Sequence, residues 1–127
     1  MKIFLIPLIS CSISLLAQAS DQSKLSIDEL RAYSAIIGGV AMEKKCQFIH
    51  KERRIDFELS VKTIQKMLLN RGVKKDYLSK LNIDSSKIAE TVPYNNCGEE
   101  TKMAIGVAFK TSWHWALSIA KAHAKKP

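Results

Sequence analysis

The stretch Asn96 to Ala124 constrains this chain more than any other, because its helical pattern runs without a break and needs cover on more than one side. Counted at helical spacing from Cys97, one face reads Thr101, Ala104, Ala108, Ser112, Trp115, Ile119 and Ala122. Ile105, Phe109, Trp113, Ala116 and Ala120 flank it. The apolar sector is therefore wider than a third of the circumference, and such a helix belongs at the centre of a bundle.

The rest of the chain supplies the partners. Ser26 and Glu29 have the spacing of a capping box, and Leu25 with Leu30 that of a hydrophobic staple, so a helix starts there. It carries Leu30, Tyr33, Ile37, Val40 and Ala41 on one side and no charge from Ala35 to Met42, which predicts burial on several sides. Gly38 and Gly39 interrupt it, each costing about 1 kcal/mol against alanine. Close approach of a second helix would offset that, and Ala104, Gly106 and Ala108 offer a matching small surface. A glycine hinge or a backbone contact to a ligand is the other reading.

A second stripe follows, Phe57, Val61, Ile64 and Leu68, about half a turn out of phase with the first. One straight helix through both would exceed about 60 Å, so the chain must break between Cys46 and Arg54. No glycine or proline marks that break. Arg71-Gly72-Val73 ends the second helix in a Schellman pattern, with Val73 returning to Leu68. Tyr77, Leu78 and Leu81 predict a short helix, and Asp84 or Ser85 a cap for another over Ile88 to Thr91, stopped at Pro93. Asn96 and Glu99 repeat the capping spacing for the last helix. The expectation is an all-α fold, a small helical bundle of three longer helices and one or two short ones, occupying 20–127 as a single domain.

Segment 1–19 reads as a signal peptide: Lys2, an apolar run from Ile3 to Leu16, then Ala17-Gln18-Ala19, small at both positions a signal peptidase reads. Leu8-Ile9-Ser10-Cys11 also resembles a lipobox, which would put a lipid on Cys11, although the apolar run continues past it. Export places the protein in the periplasm or the medium. Removal of Cys11 leaves Cys46 and Cys97, read as one disulfide. Closing a loop of roughly 52 residues is worth about 4 kcal/mol in the chain-entropy model. The two cysteines also tie the end of the first helix to the start of the last, making them antiparallel neighbours.

No local signature of catalysis appears. Asp56 with Glu58, and Glu99 with Glu100, are too close in sequence to face each other on a helix. Ser34, Ser60 and Ser112 have no neighbouring base, and no GxSxG or HExxH is present. His114 and His123, nine apart, fall on opposite sides of one helix, and His50 is distant, so no metal or other cofactor is expected. The expectation is therefore a non-enzyme that binds another protein, with an inhibitor or immunity-type role as the concrete form. The formal charge of +8, from 20 basic and 12 acidic residues, opens the alternative of an anionic envelope or membrane surface, while export argues against nucleic acid. An enzyme whose site assembles without a local motif is the third reading. The candidate contact residues are Trp113, His114 and Lys110 on the last helix, Lys62 and Lys66 on the second, and Arg53 and Arg54 at its start. Trp113 and Trp115 both edge the apolar sector and read first as core or core edge, with an interface anchor as the other reading.

Overall fold

The computed structural model describes residues 24–125, and the leader 1–19 with Cys11 lies outside the described residues. Four α-helices fill most of that span: α1 Ile27–Cys46, α2 Lys51–Arg71, α3 Lys75–Ser86 and α4 Glu99–Ala124. Two short 3-10 turns, Lys87–Glu90 and Tyr94–Asn96, carry the chain from α3 to α4. No strand occurs among the described residues. The all-α bundle expected from the sequence is what the chain forms.

The helix ends follow their local chemistry. At the start of α1 the Glu29 N–H donates to Ser26 Oγ at 3.1 Å, and the Ser26 N–H donates to Glu29 Oε1 at 3.0 Å, a closed capping box. Leu25 is buried and Leu30 packs on the same cluster, completing the staple. Gly72 ends α2 with φ +109°, and the Val73 N–H returns to the Leu68 carbonyl at 3.0 Å. Arg71 then reaches back to both oxygens of Glu29 at 2.8 Å, fastening the end of α2 to the start of α1.

Two starts differ from the sequence expectation. Asn96 does not cap α4: its side-chain oxygen accepts from the Gly98 N–H at 3.0 Å, and Gly98 is the N-cap without a side-chain bond. The cause is Cys97, which takes the left-handed region at φ 54°, so the helix begins only after it. Asp84 and Ser85 likewise cap nothing, because α3 runs through them to Ser86.

Between α1 and α2 the sequence hides its device. Gln47 takes φ 53°, a left-handed conformation found at a non-glycine residue. Glu43, almost wholly buried, holds that turn: Oε1 accepts the Ile49 N–H and Oε2 accepts Arg54 Nε, both at 2.9 Å. Arg54 also donates to the Ile49 carbonyl at 3.3 Å. A buried carboxylate with these partners is a costly group to strip, since removing one side of such a pair typically destabilises by about 3–5 kcal/mol.

The disulfide joins Cys46 to Cys97 with the Cα atoms 5.5 Å apart. From it α1 and α4 extend side by side, antiparallel in chain direction, and touch at Gly39 and Ala108. A Cβ on Gly39 would overlap the Ala108 side chain, with the Ala104 carbonyl oxygen 3.8 Å away. Ile105, Ala108 and Ser112 are buried on α4, and Ile36, Ile37 and Met42 on α1. Phe57, Val61, Ile64 and Leu68 close the core from α2. The Tyr33 hydroxyl sits at the junction of three helices, donating to Asn82 of α3 and accepting from Gln65 of α2. Burial pushes the Tyr33 phenol up, and the bonds to Gln65 and Asn82 oppose this only in part.

Two of the glycine expectations need correction. Gly38 does not face α4; its missing Cβ would lie 2.7 Å from Ile88 Cγ2 and 3.4 Å from the Ser85 carbonyl oxygen. Gly106 takes no part in the contact, since a Cβ there would meet nothing within 4 Å. The geometry separates the two buried glycines. Gly39→Ala should lose about 1–3 kcal/mol in urea denaturation, because Ala108 is held by its own backbone and cannot yield. Gly38→Ala should stay within about 1 kcal/mol of the parent, since Ile88 is a half-exposed side chain that can rotate while the helix gains propensity. A Gly39→Ala protein as stable as its parent would mean that α1 and α4 do not meet at this point.

Candidate functional site

On the outer side of α4, Gly106, Lys110, Trp113 and Leu117 recur at spacings of four, three and four and so share one face. That face borders α2, and a groove of about 780 Å³ runs along the seam between the two helices. Its α4 wall is Gly106, Phe109, Lys110 and Trp113. Arg53 and Asp56 line it from α2, and Phe48, Ile49 and His50 from the turn that Glu43 holds. Beyond Trp113 the seam continues as a shallow dent between Leu59 on α2 and Leu117 on α4.

Each wall has a structural cause. Phe109 is half-buried, with one side against Phe57 of the core at a centroid distance of 5.4 Å. The Arg53 guanidinium carbon lies 5.7 Å from the Phe109 ring centroid, a cation–π contact that keeps Arg53 over the groove. Arg54, one residue on, points inward to Glu43. Of the sequence candidates, Trp113, Lys110 and Arg53 therefore come together in the groove, and Arg54 sits instead in the internal ion pair. Lys62 borders a separate crevice of about 610 Å³ between α1, α2 and α3, in company with Lys44, Glu58 and Glu90. Lys66 and His114 are exposed and line neither space.

The two tryptophans divide. Trp115 is half-buried and packs on the main core, whereas Trp113 is 42% exposed between the groove and the dent. Leu59 is 55% exposed beside it, and Ile55, one turn before Leu59 on α2, is exposed as well. The lining holds His50, Arg53 and Lys110 and one carboxylate, Asp56. Sequence reasoning missed Phe48, Ile49, His50, Asp56, Gly106 and Phe109 as members of this site. The α4 part was open to it through the four-three-four spacing, but the Phe48 and His50 side depends on the Gln47 turn, which has no sequence marker.

A larger groove, about 820 Å³, lies on the opposite side of α4 against α1 and α3. Its floor includes Gly38, Ala104 and Ala108, the small residues already required for helix contact, and exposed Met103 and Val107 form its edge. Two acids border it, Glu100 and Asp84, the latter 3.5 Å from Lys87. Its size exceeds that of the seam groove, but it gathers no cation and no residue whose cost folding leaves unexplained. The seam groove has both.

Among the described residues no group of three or more His, Cys, Asp or Glu side chains is gathered as a metal site would require, and no helix is long and apolar enough to cross a membrane. Compared with protein-family models, curated proteins and solved structures, the chain matches none. The division of the tryptophans has a direct consequence. Trp115→Ala should cost roughly 2–3 kcal/mol in urea denaturation, and Trp113→Ala less than about 1 kcal/mol. Similar losses for both would place Trp113 in the core.

Proposed function

We propose that this protein acts by binding another protein through the α2/α4 seam, as an exported inhibitor or immunity-type protein rather than as an enzyme. The observation that carries the reading is Trp113, exposed where the groove meets the dent, with exposed Leu59 and Leu117 on one side and Arg53 and Lys110 on the other. Tryptophan and arginine are the residues that most often dominate interface energies, and they do so from the centre of a patch with a polar rim. A small bundle closed by a disulfide is also a rigid presenter, which lowers the ordering cost of association. The sequence pattern of 1–19 is consistent with work outside the cytoplasm, where disulfides persist.

A second reading has its own observation. Ile55 and Leu59 are exposed on α2 with Lys62 and Lys66 following on the same face, a combination suited to the surface of an anionic envelope. One experiment separates the two. A photo-crosslinking residue placed at Leu117 in the exported protein should trap one protein in cells, and the Trp113→Ala change should abolish the product. Lys62→Glu with Lys66→Glu should leave that product intact. Loss of anionic-vesicle sedimentation in the lysine variant, together with crosslinks to lipid alone, would replace the protein-binding reading with the surface one.

A further inference from the structure

Three glycines lie inside helices of this protein, and folding explains two of them. Gly39 admits Ala108, and Gly38 admits Ile88. Gly106 is the exception. It sits in the middle of α4, exposed to solvent, and a Cβ there would meet nothing within 4 Å. Glycine at such a position weakens the helix with no internal contact to offset the loss. A residue that breaks a local rule without a packing reason points to a role outside folding.

The surroundings of Gly106 indicate what that role is. It lies on the groove wall that Phe109 and Trp113 also form, and His50, Arg53 and Lys110 stand around it. Arg53 is pre-positioned over the Phe109 ring, so its guanidinium is held at the groove and loses little freedom on meeting a carboxylate. Asp56 is the single acid on the lining, leaving the groove with an excess of positive charge. Gly106 lets an incoming backbone come down to the helix surface between these groups.

We infer that the groove receives an acidic segment of the partner protein, with an aromatic side chain seated between Trp113 and Phe109 and its neighbouring carboxylates on Arg53 and Lys110. The segment reaches the helix because residue 106 has no side chain. This rests on the protein-binding reading above and adds the chemistry of the partner. Charge complementarity selects an acidic segment over a basic one, and exposed Trp113 beside the half-buried Phe109 ring selects an aromatic anchor over a purely charged run.

The test uses the exported, disulfide-bonded protein labelled with nitrogen-15 and the acetylated, amidated pentapeptide Asp-Glu-Phe-Glu-Asp at millimolar concentration. The Gly106 amide, the Arg53 Nε–H and the Trp113 indole N–H should shift together, and added salt should weaken the effect. The same peptide with lysine for every acid should leave them in place, and the version with alanine for phenylalanine should bind more weakly. Gly106→Leu and Arg53→Glu should each reduce binding by about ten-fold or more, the scale of a lost anchor. Gly106→Leu should melt at or above the parent temperature, which separates groove filling from unfolding. Gly106→Ala provides a milder filling variant with intermediate binding. Equal shifts with the lysine peptide, no shift at these three groups, or unaltered binding by Gly106→Leu would overturn the inference. If the peptide fails while Trp113→Ala still abolishes the in-cell crosslink, the interface stands and acidic recognition falls.

Discussion

The close contact of α1 and α4 at Gly39 and Ala108 is the constraint on which the remaining structure depends. With those two helices touching so closely, α2 packs against both, meeting α1 at Tyr33 through Gln65 and α4 where Phe57 meets Phe109. The buried polar side chains on this part of α4 agree with that arrangement. Thr101 and Ser112 are fully buried, yet each donates its hydroxyl to a nearby carbonyl, of Tyr94 and Phe109 respectively. Small residues with internally satisfied hydroxyls let neighbours approach without leaving a buried polar group unpaired. The disulfide then fixes the register of the two helices at one end, contributing up to about 4 kcal/mol by limiting the unfolded chain.

Adjacent arginines show how this frame divides structural from available groups. Arg54 turns inward, satisfies Glu43 and so fixes the angle at which α2 leaves α1. Arg53, about 100° further round the helix, falls on the groove side and lies over Phe109. The turn that Glu43 holds also delivers Phe48 and His50 to the groove rim. The candidate site is thus built by the same buried ion pair that ends the first helix. Loss of that pair would displace one wall of the groove as well as destabilise the fold.

Much of the scaffold was legible in the residues themselves. The capping box at Ser26 and Glu29, the staple at Leu25 and Leu30 and the Gly72 termination are short-range devices, and each forms as its spacing implies. The pairing of Cys46 with Cys97 was readable because the expected removal of 1–19 leaves just those two cysteines. What sequence could not supply were choices made by tertiary context. Trp113 and Trp115 both border the apolar sector of α4, and only the position of α2 decides which one is covered. Gly106 resembled Ala104 and Ala108 as a small residue, yet its face turns away from α1. Asn96 had the spacing of a cap, but the left-handed Cys97 moved the helix start past it. Glu43 carried no local signal, because its partners Ile49 and Arg54 come to it only once Gln47 has turned the chain.

If the fold is organised around the α1–α4 contact, that contact is its most stable part. Native-state hydrogen exchange on the disulfide-bonded protein tests this most directly. The amides of 37–42 and 105–112 should exchange last and only through global unfolding, ahead of nothing in α3 or the outer turns of α2. After reduction of Cys46–Cys97 they should remain the slowest set while overall protection drops by no more than about 4 kcal/mol. Exchange of those amides through local opening, at rates like those of α3, would mean that the fold is held together elsewhere.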